Sequence, residues 1–221
     1  EEKTTAKNLP KLSDDILPIY TILVPLFQEK HETVLQLVNA IRNLDYPKTK
    51  LDVKLIVEED DFETIKNIKN LRCERIFDIV EVPFSYPRTK PKALNYALRF
   101  ARGKYVTIFD AEDKPNPDQL KEAVARFKSG PKELACLQGR LNYYNREENI
   151  ITRMFSFEYG SWFDFLLPGL QKLGIPMPLG GTSNHFPLDV LKELHAWDPY
   201  NVTEDADLGI RLAAKGYKSE V

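Results

Sequence analysis

Carboxylates are concentrated at three places in the chain. Glu58-Glu59-Asp60-Asp61 closes one apolar run, Asp110-Ala111-Glu112-Asp113 closes another, and Thr203-Glu204-Asp205-Ala206-Asp207 lies near the end. Neighbouring like charges repel, so such runs are poor stability devices. A solvated loop accounts for one of them more readily than for two. The pattern at Asp110 suits a hard divalent cation, since Mg²⁺ takes oxygen ligands and commonly uses one or two carboxylates plus substrate phosphates. Asp110 is held at the end of a rigid run, and a second carboxylate, Glu112 or Asp113, is within reach. The third cluster reads as a helix N-terminus, with Thr203 as N-cap and acids in the first turn. A helix start is also a firm mount for a catalytic carboxylate, so the two readings are compatible. Lys90 and Lys92 stand at another helix start, either solvated or facing a diphosphate. His31 and His195 have no partner at ligand spacing and are expected at the surface. Trp162 and Trp197 are expected in the core.

The elements that must position these side chains alternate regularly. Residues 20–25, 53–57, 76–82, 105–109 and 134–137 are short apolar runs rich in β-formers, which predicts five strands. Between them, helical spacing appears at Val34, Leu35, Leu37, Val38 and Ile41, over 61–71, at Ala93, Leu94, Ala97, Leu98 and Ala101, and over 117–127. Strands that are apolar throughout, alternating with helices, predict a parallel sheet covered on both faces. In open sheets of this kind ligands bind beyond the carboxyl ends of the strands. Both acidic runs fall there, and Glu29 follows the first strand. Residues 150–167 break the rhythm with Phe155, Phe157, Tyr159, Trp162, Phe163 and Phe165. They form either a helix packed in a groove of the domain or an interfacial helix at a membrane or sugar-binding surface. Residues 176–187 read as loop, and 188–194 and 204–215 as helices.

Composition narrows the function. The chain has 221 residues, 31 Lys plus Arg and 33 Asp plus Glu, for a net charge of −2, without the basic excess of a nucleic-acid binder. Its length predicts one large domain able to bury its own core. The first of its ten glycines is Gly103, which excludes a Walker A loop or a Gly-x-Gly-x-x-Gly turn after the first strand. Cys73 and Cys136 suggest neither a disulfide framework nor a zinc site. No signal peptide opens the sequence, and no apolar run of membrane-spanning length occurs in it.

Taken in order, these segments resemble the family 2 glycosyltransferases of GT-A fold, in the membrane-associated branch of cellulose-synthase-like and related polysaccharide synthases. The resemblance runs from Tyr20 to Val221. It rests on Pro25-x-x-x-Glu29, the acids closing the second strand, Lys92-Ala93-Leu94-Asn95, and Phe109-Asp110-Ala111-Glu112-Asp113. Gly180-Gly181-Thr182-Ser183-Asn184-His185-Phe186 and Thr203-Glu204-Asp205-Ala206-Asp207-Leu208-Gly209 complete it.

Residues 1–18 read as a tail or linker ending at Pro18. The resemblance implies a mostly parallel α/β domain over residues 19–221, with helices on both faces of its sheet. It implies an inverting transfer of a sugar from a nucleotide diphosphate sugar, with UDP as the expected carrier, to a saccharide acceptor. Glu59, with Glu58, would contact the base. Asp110 and Glu112, with Asp113 as a substitute, would hold Mg²⁺ or Mn²⁺. Asp205 would be the general base, and Glu29, Lys92, Glu204 and His185 would line the substrates, with His185 towards the acceptor. Arg140, at the end of the fifth strand, reads as either an ion-pair partner or an acceptor contact. Processive relatives carry a Gln-x-x-Arg-Trp motif and membrane helices after this point. The resemblance therefore implies an excised, soluble catalytic domain of a protein at the cytoplasmic face of a membrane. Two rivals are a non-catalytic nucleotide-sugar-binding module and a sugar-phosphate nucleotidyltransferase. The latter is expected to carry a glycine-rich loop where this chain has Leu26-Phe27-Gln28. A glycoside hydrolase also uses two carboxylates and would be separated by its lack of nucleotide binding.

Overall fold

The computed structural model describes residues 9–71 and 76–221, so Cys73 lies outside the described residues. The five expected strands are β1 (Tyr20–Leu26), β2 (Leu51–Glu58), β3 (Phe77–Val82), β4 (Tyr105–Ile108) and β5 (Leu134–Gln138). Between them lie α1 (His31–Arg42), α2 (Phe62–Asn70), α3 (Lys90–Leu98) and α4 (Gln119–Ser129). Then follow α5 (Ile150–Gly160), a π-helical turn (Ser161–Leu166), α6 (Leu167–Leu173), β6 (Asn184–Pro187), α7 (Leu188–Glu193), α8 (Glu204–Ala214) and β7 (Lys218–Glu220).

All seven strands form one sheet in the order β3-β2-β1-β4-β6-β5-β7. β1 pairs in parallel with β2 on one side and β4 on the other. The chain thus winds outward from β1 and then returns to its opposite edge, which opens a crevice at the carboxyl ends of β1 and β4. Side chains alternate across β1. Tyr20, Ile22 and Val24 face a core with Val34, Leu37, Val38 and Ile41 of α1 and Leu120 and Val124 of α4. Leu23 faces the other core, with Leu94 and Ala97 of α3, Leu208 and Leu212 of α8, Phe186 and Trp197.

The sheet is mostly parallel, as expected, with one antiparallel strand. β6 falls inside the expected loop and runs antiparallel to both β4 and β5. Asn184, His185 and Phe186 are buried, and the strand is covered on both faces: His185 packs edge-on against Tyr20 and Phe186 against Trp197. β7 joins the outer edge parallel to β5, tied by Arg126 to Glu220 at 2.6 and 2.7 Å.

Residues 9–18 do not behave as a free tail. Leu17 is buried, and Lys50 Nζ donates to the carbonyls of Asp14, Asp15 and Leu17 at 2.8 Å each. The long aromatic helix extends to Leu173 and is interrupted by the π turn. Phe163 and Leu167 enter the core, while Trp162, expected there, is 41% exposed. Trp197 is buried as expected, His195 is exposed and His31 is half-buried. Among the described residues no helix is long and apolar enough to cross a membrane.

Candidate active site

Asp110 lies two residues beyond β4, after the buried Phe109, and stands at the crevice. Its backbone N–H donates to Asp113 Oδ2 at 2.8 Å, and Asp113 N–H returns a bond to Asp110 O at 3.1 Å. Thr182 also bonds Asp113 Oδ2, and its hydroxyl reaches Ile108 O at 3.3 Å. These bonds hold the Asp113 carboxylate inside the loop. Its pKa is raised, first by burial and further by the Asp110 and Glu112 charges, although the bonds from Thr182 and Asp110 oppose the rise. Asp110 Oδ1 accepts from Lys90 Nζ at 2.6 Å, and the same ammonium donates to Gly181 O at 2.8 Å. Glu112 is exposed. Glu29 shares this basin: burial raises its pKa, and the charges of Glu112, Asp61 and Asp110 raise it further.

The run after β2 divides its work. Lys92 Nζ lies 2.9 Å from Glu58 Oε1 and 3.0 Å from Oε2, so Glu58 is committed to an ion pair within the fold. Glu59 Oε1 accepts from Phe84 N at 2.8 Å. Asp60 pairs with Arg88 at 2.7 Å. Asp61 is the N-cap of α2, accepting from Thr64 N at 3.2 Å, and also takes Gln28 N at 2.6 Å. Arg88 lies over the rings of Phe84 and Phe27 at 5.4 and 5.9 Å, forming a cationic aromatic wall beside Glu59. The sequence reading missed this wall, because its members lie in two loops about sixty residues apart.

Asp205 arrives from the other half of the chain. It is 8% exposed, and its Oδ1 accepts from the Trp197 indole N–H at 3.1 Å. A Cβ built on Gly181 would lie 3.6 Å from Asp205 Oδ2, so Oδ2 borders the residue whose carbonyl binds Lys90. Burial, then the Glu204 charge, push the Asp205 pKa up to about 7, against Lys90 and the indole bond, which lower it. Helix α8 is seated closely: a Cβ on Gly209 would come within 2.2 Å of Met177 O. Thr203 occupies the N-cap position without a side-chain cap bond; its hydroxyl goes to Asn201 Oδ1 at 3.2 Å.

His185 does not belong to this crevice. Nδ1 lies 2.7 Å from Tyr20 OH and Nε2 3.0 Å from Gln119 Nε2. Burial lowers its pKa to about 3, so it is a neutral structural group inside the core. Its place in a glycine-rich loop suggested the acceptor side, but pairing opposite Thr107 of β4 draws it beneath the sheet edge.

Among the described residues no three His, Cys, Asp or Glu converge as a metal cage. A divalent cation that completes its shell with diphosphate oxygens needs only one or two carboxylates. The donor set fits such an ion: Asp110 already holds one cation, the Lys90 ammonium, and Glu112 is free of the loop's internal bonds.

The sheet and its helices form the fold of the GT-A glycosyltransferases. The mannosyltransferase PcManGT from Pyrobaculum calidifontis, in complex with GDP-Man and Mn²⁺, matches with TM-score 0.73 at 21% identity, over 97% of this chain and 57% of that one. S. aureus TarS 1–349 in complex with UDP-GlcNAc matches with TM-score 0.62 at 18% identity, over 87% of this chain and 52% of that one. Residues 18–221 match the family model described as glycosyltransferase like family 2, and the chain belongs to that family. Glucomannan 4-beta-mannosyltransferase 1 of Oryza sativa subsp. japonica is 27% identical over 220 residues, 95% of this chain and 41% of that protein. Glucomannan 4-beta-mannosyltransferase 2 of Arabidopsis thaliana is 25% identical over 94% of this chain and 40% of its own length. The chain thus spans about two fifths of these relatives.

Proposed function

We propose that this chain is the catalytic domain of an inverting glycosyltransferase that moves a sugar from a nucleotide diphosphate sugar to a hydroxyl of a saccharide acceptor, in polysaccharide synthesis. The observation that carries it is the meeting of Asp110 and Asp205 around Lys90 and Gly181 at the sheet's switch point. One carboxylate is suited to the diphosphate side and one, with a pKa of about 7, to proton removal.

The base would lie against Phe27, Phe84 and Arg88, within reach of Glu59. Lys90 would turn from Asp110 towards the diphosphate. A divalent cation held by Asp110 and Glu112 would offset charge on the departing diphosphate. Asp205 would take the proton of the acceptor hydroxyl as its oxygen bonds the anomeric carbon. The carbon–oxygen bond to the diphosphate breaks on the opposite face, its electron pair leaves with the diphosphate, and configuration inverts. A base with pKa near the working pH combines availability with driving force. The names of the relatives favour a mannosyl donor. One structural neighbour holds GDP-Man and another UDP-GlcNAc, so both bases belong in the assay. Membrane attachment would come from further segments of a longer protein.

Calorimetric titration with GDP and UDP, with Mn²⁺ or Mg²⁺ and without, tests the donor side. Metal-dependent binding lost in Asp110→Ala is the expected result; no binding of either nucleotide, or unchanged binding in the variant, overturns it. Transfer of labelled mannose or glucose to an oligosaccharide then separates an enzyme from a binding module.

A further inference from the structure

Beside the crevice, the segment 140–149 and the α5–π-turn rod enclose an open groove of about 470 Å³. Its walls include Asn142, Arg153, Phe157, Ser161, Asp164 and Phe165. Phe157 and Phe165 are 79% and 76% exposed, so neither ring contributes to the core. The π turn gives the groove a purpose. Such turns are rare, displace side chains by one position, and concentrate at functional sites; this one delivers Ser161, Asp164 and Phe165 to the same groove. The charges on the walls balance, with Arg146 and Arg153 against Glu147 and Asp164. That balance disfavours a phosphate or a polyanion and suits a neutral ligand rich in hydroxyls. Pyranose rings have that chemistry, with an apolar C–H face for an aromatic ring and hydroxyls around the edge.

Contacts tie the walls of the groove to the catalytic edge. Arg140, two residues beyond β5, lies 3.5 Å from Asp164. Lys114, next to Asp113, sits 3.7 Å above the ring of Tyr144 in the same segment. Phe163 of the π turn packs against Gly180, adjoining the Gly181 that borders Asp205.

We propose that this groove is a distal subsite for the saccharide acceptor. It holds neutral hexopyranose units remote from the reacting hydroxyl, stacked on Phe157 and Phe165 and hydrogen-bonded by Asn142, Arg153 and Asp164. The proposal rests on the glycosyltransferase reading.

The 221-residue chain is titrated with β-1,4-mannohexaose, cellohexaose and the corresponding disaccharides, and separately with GDP and UDP plus Mn²⁺. A hexasaccharide is expected to bind more tightly than its disaccharide. The double variant Phe157→Ala/Phe165→Ala should weaken it by about tenfold, with melting temperature and nucleotide affinity unchanged. Failure of both hexasaccharides to bind, or wild-type affinity in the double variant, overturns the subsite. Loss of vesicle binding or of self-association in the variant, with saccharide affinity intact, also overturns it and assigns the face to a bilayer or a second copy. Saccharide binding that depends on the two rings in a chain that binds neither nucleotide supports the groove and counts against the transferase reading.

Discussion

Replacing Asp205 by asparagine separates a desolvated base from a structural acid. The Asp205 carboxyl titrates near 7 instead of 3.8 because it is buried against Trp197 and beside Glu204. Three units at about 1.4 kcal/mol each amount to roughly 4 kcal/mol. The sign follows from proton binding. The folded protein keeps this proton to higher pH than the unfolded chain does. The contribution of Asp205 to stability is therefore greatest below about pH 4, falls as pH rises towards 7, and stays reduced above that. Asparagine carries no charge and avoids the loss. Its Oδ1 can still accept from the indole N–H, now at 3.1 Å. Its amide must be accommodated where Oδ2 borders Gly181, at a cost of about 1 kcal/mol. The variant should thus be more stable by roughly 2–3 kcal/mol at pH 8, and a chain of this length should melt about 5–10 °C higher. Near pH 4 this gain should be gone, leaving the variant level with the wild type or less stable by up to about 1 kcal/mol, the cost of the amide. Thermal melts at pH 4, 6 and 8, without divalent cations, measure both points. In the same variant, sugar transfer should fall roughly 10²–10⁴-fold with donor affinity retained. An asparagine variant that melts at or below the wild type at pH 8 would refute the reasoning, since Asp205 would then not be held as a costly buried charge.

Three further perturbations test the frame around the site. Lys92→Ala leaves Glu58 charged, nearly buried and without its partner, and should cost about 3 kcal/mol in urea unfolding at pH 7. Gly209→Ala forces a methyl to within 2.2 Å of Met177 O; loss of more than about 2 kcal/mol by denaturant melts is expected, along with displacement of α8 and loss of transfer. Trp197→Phe removes the indole bond that lowers the Asp205 pKa. The pH midpoint of transfer, near 7 in the wild type, should move up by about one unit in a pH–rate profile.

The sequence alone carried β1 to β5, their connecting helices and the edge at which the acids gather. Each strand is a nearly unbroken apolar run, and apolar runs alternating with amphipathic helices have few ways to bury themselves. The ordered motifs pointed to the family that the match over residues 18–221 shows, whereas repulsion within the run after β2 did not reveal that Glu58 and Asp61 serve the fold, as an ion-pair partner and a helix cap. β6 was hidden because four residues containing Asn184, His185 and Pro187 have no strand pattern of their own. Their burial exists only between β4 and β5, where Tyr20, Gln119 and Trp197 supply partners from distant parts of the chain. The same separation governs the site. Composition could not show that Lys92 would be spent on Glu58, that Asp61 would cap α2, or that Lys90 would join Asp110 to Gly181. Local sequence determines which segments are apolar and which are charged, because that depends on side-chain chemistry alone. The pairing of charges 20 to 94 positions apart, and the burial that lifts Asp205 to about 7, depend on distances and dielectric surroundings that exist only once the two halves of the sheet have closed on each other.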